Sequence, residues 1–193
     1  MTVARRRLLV GLALLAALGD RAGRAELAAA LRAVRIRRRE VPVEDAAGRR
    51  LRFWADVVGD SLAVLNPVFT RCSSLCPLTN AVMAELQDRL AELLGPRLRL
   101  VSLSIDPFGD SRAALSATAR ALGAGPHWLW IRAEPAALDA LLRQLAPGAG
   151  RLDDHPPLFL LLDGPSGEAL RADGIPPADR LAAAVRERLG ARS

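Results

Sequence analysis

Two patterns of apolar residues take turns along the chain, continuous runs and a three-to-four-residue period. Together they predict strands separated by helices. Residues 62–69 and 98–105 are apolar runs of strand length, and shorter runs cover residues 127–131 and 158–162. Between and after them, apolar residues recur every three or four positions, as on one face of a helix. The predicted helices cover residues 78–93, 111–122, 134–145 and 177–189. This order predicts one compact α/β domain with largely parallel strand pairing.

Turn residues refine these predictions. Residues 41–43 and 51–53 flank the turn 44–48, which is typical of a hairpin ahead of the main sheet. Asn66 and Pro67 interrupt the first long strand, and a proline inside a central strand removes a hydrogen-bond donor. We therefore expect regular pairing of this strand to end near Asn66.

The N-terminal segment has the layout of a secretory signal. Three arginines, Arg5 to Arg7, precede an apolar stretch from Leu8 to Leu18 that is shorter than the ~20 residues of a spanning helix. Gly23 and Ala25 are small residues suited to a cleavage site after position 25. We predict a signal peptide or uncleaved signal anchor over residues 1–25, a basic lead-in over 26–40, and the folded domain over 41–193. The domain is expected to be exported, to the periplasm or the outer face of the cytoplasmic membrane. Membrane contact is expected only if the segment stays uncleaved.

Composition removes nucleic acid from the expected partners. The chain is 51% hydrophobic and 25% charged, with a formal net charge of +6. All its basic residues are arginines, and they are scattered without the aromatic or glycine interleaving of a single-strand binder. The densest run after the N-terminus, Arg35 to Arg39, is interpreted as a solvated face beside acidic residues.

The chemistry of the chain centres on its only two cysteines, Cys72 and Cys76, which stand between a predicted strand and a helix. Pro77 occupies a first-turn position. A helix N-terminus carries partial positive charge and unpaired N–H groups, and both stabilise a thiolate. Two thiolates at this spacing form either a chelate for a soft metal or a closable disulfide. An inert disulfide is the weaker interpretation, because so small a loop constrains the unfolded chain little.

A family resemblance extends this reasoning. The sequence has Phe-Thr-Arg-Cys-Ser-Ser-Leu-Cys-Pro after an apolar strand, Ser-Ile-Asp-Pro after the next strand, and Asp-His before a later one. These motifs, with Met83 in the helix and Asp110 nearby, resemble the Sco/SenC family over about residues 41–162. That family comprises thioredoxin-like copper proteins that assist assembly of the copper centre of cytochrome c oxidase. The resemblance implies a thioredoxin-like α/β fold, with a central mixed sheet flanked by helices.

The resemblance also implies a ligand set of Cys72, Cys76 and His155. Two thiolates and one imidazole suit Cu(I), which favours sulfur and low coordination, and Cu(II) is the second oxidation state considered. Zinc can use the same set with an added water. The other histidine, His127, is interpreted as a surface or loop residue. Asp153 or Asp154 is a candidate to orient His155, although a solvated loop carboxylate is the simpler interpretation of each.

Two further aspartates, Asp106 and Asp110, have two interpretations. One is that they shape a loop across the site, and the other is ordinary turn chemistry around Pro107. Pro156 and Pro157 stand where thioredoxin-like folds often place a cis-proline.

Three functions compete for the cysteine pair. The first is a metallochaperone that performs no turnover and passes copper to the copper-binding subunit of the oxidase or to another chaperone. The second is a thiol–disulfide oxidoreductase, an enzyme that keeps a partner's cysteines reduced. His155 and the three-residue spacing favour the first. The third, a peroxiredoxin-like peroxidase with Arg71 as activator, is the weakest.

Overall fold

The computed structural model describes residues 31–145 and 157–192, and eight strands in one mixed sheet form the centre of this part. The described residues from Ala33 onward form one compact unit. The strands are β1 (Leu31–Arg35), β2 (Pro42–Asp45), β3 (Arg50–Arg52), β4 (Leu62–Val68), β5 (Leu98–Ser104), β6 (Trp128–Arg132), β7 (Leu158–Asp163) and β8 (Glu168–Asp173). The helices are α1 (Cys76–Arg89), α2 (Arg112–Ala121), α3 (Pro135–Leu145) and α4 (Ala178–Gly190), with a π-helical turn at Phe53–Val58.

The sheet is parallel at its centre and antiparallel at both sides. Its order is β1-β8-β7-β4-β5-β6-β2-β3. Strands β4, β5 and β6 pair in parallel, whereas β7 and β2 run antiparallel to β4 and β6. The α/β prediction of a mixed sheet flanked by helices is confirmed, as is the hairpin, which forms from β2 and β3. Because β4 and β5 are parallel, their carboxyl ends meet at one edge, and the loops that follow them lie side by side.

Pro67 affects the two sides of β4 differently. Pairing with β7 runs only to Leu65, as expected, but pairing with β5 continues through Val68, so the expected end near Asn66 is wrong on that side. The carbonyl of Val68 faces β5 and accepts the N–H of Ile105 at 2.9 Å. Neighbouring residues point their backbone groups to opposite sides, so Pro67 faces β7. The backbone N–H that Pro67 lacks would therefore point toward β7, beyond Leu65, where the pairing with β7 has already stopped.

The four helices lie where the periodicity predicts them. For α1, however, the prediction is wrong about which face is buried and about where the helix ends. Ser111 caps α2 by accepting the N–H of Ala114 at 3.1 Å. In α1 the predicted core position Leu78 is instead 54% exposed, and Met83 and Leu86 are buried. The period of the leucines alone was misleading, because polar residues (Thr79 and Asn80) occupy the buried face of the first turns. The helix also ends at Arg89, well before Gly95-Pro96.

Alternation along the central strands divides the interior into two layers. In one layer a cluster of buried apolar side chains packs the sheet against the π-helical turn and α3; among its members are Leu65, Val101, Leu103 and Ile131. The other face of the same strands carries polar side chains toward the carboxyl ends, at Asn66, Ser102 and Ser104. These polar residues lie under the cysteine loop.

Several elements were not predicted, and several predictions fall outside the described residues. Strand β1 lies within the lead-in assigned to residues 26–40, and neither β8 nor the π-helical turn was assigned from the sequence. The segment 1–25, His155 and Pro156 are outside the described ranges. None of the helices within residues 31–145 and 157–192 is long and apolar enough to span a bilayer.

Candidate metal and thiol site

The cysteine pair lies at the carboxyl edge of the parallel strands, where the loop after β4 enters α1. Cys76 is the first residue of the helix and Pro77 the second, as predicted. A proline is tolerated there because its missing N–H has no intrahelical acceptor. Within this turn the N–H of Cys72 donates to the carbonyl of Phe69 at 3.1 Å. The loop therefore folds back on itself and brings Cys72 over the start of the helix.

Cys72 is the more exposed and more acidic thiol. It is half-buried, and its Sγ accepts the backbone N–H of Cys76 at 3.3 Å. Burial by itself raises the pKa of Cys72. Hydrogen bonds from the thiol and N–H of Cys76 and from Ser74 outweigh it, and the pKa is lowered from 9.0 to about 7. About half of Cys72 is therefore thiolate at neutral pH.

Cys76 has the opposite character. It is buried, and this burial raises its pKa to about 12. The hydrogen bond it donates to Cys72, and the negative charges of Cys72 and Asp110, act in the same direction, whereas a hydrogen bond from the backbone of Phe69 acts against them. Cys72 is therefore the first of the two to lose its proton, and both cysteines are free.

Asp110 joins the cysteine loop to the end of β5. Its Oδ1 accepts the N–H of Thr70 at 2.9 Å and the Thr70 hydroxyl at 2.6 Å, and its Oδ2 accepts the Ser104 hydroxyl at 2.6 Å. The carboxylate is only 1% exposed, and these three donors stabilise it without water. The interpretation that Asp110 shapes the loop across the site is thus confirmed.

Both interpretations of Asp106 apply, because it forms a turn and also holds the cysteine loop. Its Oδ1 accepts the N–H of Gly109 at 2.7 Å, which forms a turn, and its Oδ2 accepts Arg71 Nη2 at 2.7 Å, which holds the cysteine loop. Burial raises the pKa of Asp106, but the hydrogen bonds from Arg71 and Gly109 prevail and lower it. A Cβ at Gly109 would collide with this ion pair, so the turn requires glycine.

A buried chain of amide and hydroxyl groups supports α1 from below. Asn66, fully buried in β4, donates to Asn80 Oδ1 in α1 at 3.3 Å and accepts the Ser102 hydroxyl at 2.8 Å. The hydroxyl of Ser102 in turn accepts the indole N–H of Trp128 at 3.0 Å. These residues were missed from the sequence. The available signal was the presence of polar residues at matching register, Asn66 opposite Ser102, in strands otherwise apolar.

An open cleft of about 450 Å³ lies beside the two sulfurs, between α1 and α2. Its walls are mostly apolar, so it can receive an apolar side chain of another molecule. The lining residues include Cys72, Cys76, Pro77, Ala117, Leu122 and Trp130.

The two histidines have different positions in the chain. His127 is exposed and precedes β6, at the amino end of the parallel strands and thus opposite the cysteines, which confirms its interpretation as a surface residue. His155 lies outside the described residues, so its placement as a ligand stays a prediction. Within the described residues no group of three or more His, Cys, Asp and Glu side chains could hold a metal ion.

Comparison with known proteins gives a family match and a set of similar folds. A family model described as SCO1/SenC matches residues 46–145, just over half of the 193-residue chain. No curated protein matches the chain in sequence.

Solved structures of Sco proteins resemble the chain over most of its length. Arabidopsis thaliana ScoI, solved with copper bound, is 16% identical with a TM-score of 0.66, over 79% of this chain and 98% of that one. Yeast Sco1 with copper bound is 17% identical with a TM-score of 0.65, over 79% and 91%. BsSco, from a study of its disulfide switch, is 20% identical with a TM-score of 0.65, over 82% and 96%. At these identities the likeness is one of fold, and it confirms the thioredoxin-like prediction.

Proposed function

The chain belongs to the SCO1/SenC family, and from that premise we propose that it binds one copper ion and delivers it during assembly of a cytochrome c oxidase. The ligands in this proposal are Cys72, Cys76 and His155. BsSco is described as a member of a family of oxidase assembly proteins, and two of the similar structures hold copper. The proposed location is outside the cytoplasm, where the N-terminal segment is expected to direct the chain.

The observation that carries the proposal is the state of the two sulfurs. Cys72 is about half thiolate at neutral pH and lies beside the thiol of Cys76, and both lie at a helix N-terminus next to an open cleft. A soft ion such as Cu(I) that displaces the remaining thiol protons gains two sulfur ligands with little rearrangement of the loop. Asp110 and Asp106 hold that loop to the sheet, so the pair is positioned before an ion arrives.

The test is a Cu(I) titration of the reduced full chain under anaerobic conditions against a chromophoric chelator. We expect one tightly bound copper, and a loss of affinity of more than about 100-fold in Cys72→Ser, Cys76→Ser and His155→Ala. His127→Ala is the matched control, because it removes the other histidine at the opposite edge of the sheet. Unchanged affinity in His155→Ala would contradict the three-ligand site.

A second candidate function, thiol–disulfide exchange with a partner, has its own support. An accessible cysteine with a lowered pKa beside a buried one is an arrangement suited to attack a disulfide and then resolve it. The same titration separates the two functions. A chain that binds no copper tightly but readily cycles between dithiol and disulfide would be an oxidoreductase.

A further inference from the structure

Large apolar side chains at the surface gather around the cysteines. In the described part of the chain the exposed large hydrophobic residues are Leu75 at 43%, Leu78 at 54% and Phe108 at 87%. Leu75 lies between the two cysteines and Leu78 in the first turn of α1. These three residues are called the apolar rim below.

The loop that carries Phe108 is fixed beside the cysteine loop. Asp106 and Asp110, on either side of Phe108, bind Arg71 and Thr70 respectively. The two segments that carry the rim residues are therefore held side by side. Phe108 adds almost nothing to the core at its exposure, so a polar residue would serve the fold equally well. Clustered exposed apolar side chains of this kind mark contact surfaces.

The two segments that carry the rim have exposed charges of one sign. Between residues 69–80 and 104–112 the carboxylates are those of Asp106 and Asp110, and both are buried. The side chain of Arg71, in contrast, is 72% exposed while it binds Asp106. A guanidinium has five N–H donors, so Arg71 can bind a second carboxylate from outside.

We propose that the apolar rim and Arg71 form the docking surface for the polypeptide that exchanges copper with Cys72. The partner segment would carry a sulfur ligand flanked by apolar side chains, with a carboxylate that reaches Arg71. This inference rests on the proposed function, because transfer by ligand exchange requires the partner's sulfur to come within bonding distance of Cys72. The rim then covers the metal during transfer.

The test measures docking without metal, through a reversible disulfide on Cys72. The full chain carrying Cys76→Ser is equilibrated with oxidised glutathione and an acetylated tetrapeptide amide, Leu-Glu-Cys-Leu. Exchange breaks the disulfide between Cys72 and glutathione, forms one between Cys72 and the peptide, and releases glutathione as a thiol, with no net oxidation. Control peptides are Ser-Glu-Cys-Ser, without apolar side chains, and Leu-Lys-Cys-Leu, with the charge reversed.

We expect the exchange constant of Leu-Glu-Cys-Leu to exceed that of each control peptide by about 10-fold, equivalent to about 1.4 kcal/mol. Phe108→Ser or Leu78→Ser should abolish the preference over the serine peptide, and Phe108→Leu should retain it. Arg71→Gln should remove only the difference between the glutamate and lysine peptides. Because Phe108 and Leu78 are exposed, these variants should keep the circular dichroism and unfolding midpoint of the parent.

Equal exchange constants for the three peptides would overturn the proposal. So would a metal-free dimer of the parent chain that Phe108→Ser dissociates in sedimentation experiments, since the rim would then bind a second copy. Failure of the proposed function itself would appear elsewhere, as weak copper binding in the titration above, and would leave these metal-free exchange constants unchanged.

Discussion

The two faces of the central sheet are built differently from the same strands. Leu65, Val101 and Leu103 point into a cluster of buried apolar side chains, against the π-helical turn and α3. Their immediate neighbours Asn66 and Ser102 point the other way, into hydrogen-bonded contacts below α1. Both faces exclude water from apolar side chains, and the second face also pairs buried polar groups near the carboxyl ends of the strands.

This difference shows which part of the molecule positions the cysteine loop. An apolar side chain tolerates small shifts of its neighbours, whereas a buried hydroxyl or carboxylate fixes distance and direction. Asp110 holds Thr70 and Ser104 in this way, and Thr70 lies two residues before Cys72. The polar groups of the second face therefore fix the cysteine loop.

The largest expected effect comes from a cavity in the apolar face. Leu65→Ala should lower the free energy of unfolding by about 2–5 kcal/mol, because Leu65 is almost fully buried in the close-packed layer. Denaturant unfolding followed by circular dichroism measures it. Under native conditions the pH at which Cys72 becomes reactive should not move, because Leu65 points away from the site. A shift of that pH would show that the two faces are not separable.

Cys72 should react as a thiolate at unusually low pH. Its pKa of about 7, against the ordinary 9.0, gives about 50-fold more thiolate at pH 7, so alkylation should increase as the pH rises through 7. Cys76 should stay unmodified over the same range, since its pKa is about 12. Alkylation of the metal-free chain, followed by mass spectrometry, measures both. A midpoint near 9 for Cys72 would contradict the described loop geometry.

Removal of the central carboxylate should have a smaller effect on stability and a local effect on the loop. Asp110→Ala leaves the donors of Thr70 and Ser104 without their acceptor, which should cost about 1–3 kcal/mol. Hydrogen exchange of the Thr70 amide should become faster. Asp139→Ala, at an exposed position in α3, is the control and should change stability by less than about 0.5 kcal/mol. Equal effects of the two substitutions would remove Asp110 from its positioning role.

The smallest effect is expected from Arg71→Gln. The side chain of Arg71 is 72% exposed, so solvent screens its ion pair with Asp106, which should contribute little to stability at pH 7. Because the pKa of Asp106 is lowered in the folded state, this contribution is present above the ordinary value of 3.8. It is lost as the pH falls through the lower folded value. Unfolding of both proteins at neutral and acid pH should show the difference disappear in acid.

Sequence patterns predicted the elements that depend on local chemistry. The place of Pro77 in the first turn of α1 was predicted from the chain, although the helix begins at Cys76 rather than at residue 78. The central strands and the cap at Ser111 are likewise local signals. The ligand role of His155 came from family resemblance, and the described residues do not test it.

Features that depend on contacts distant in sequence were not predicted. The exposure of Leu78 depends on Thr79 and Asn80 facing the sheet, which the leucine period does not reveal. The ion pair of Asp106 with Arg71, 35 positions away, is not apparent from the turn alone. The alternating polar residues of β8 are unlike the apolar runs from which the other strands were predicted. It is nevertheless part of the sheet, because it pairs with β7.

The side-dependent pairing around Pro67 has a mechanical consequence. Among the described residues, the last part of β4 is joined by ladder hydrogen bonds to β5 but not to β7. The cysteine loop, which continues from β4, is thus coupled to β5 and to Asp110 beyond it. Leu158 and Phe159, the first residues of β7, pair with β8, and the ladder between β4 and β7 begins only at Leu160. The start of β7 can therefore shift against the cysteine loop without breaking a backbone bond between β4 and β7, and one proline in the neighbouring strand makes this possible.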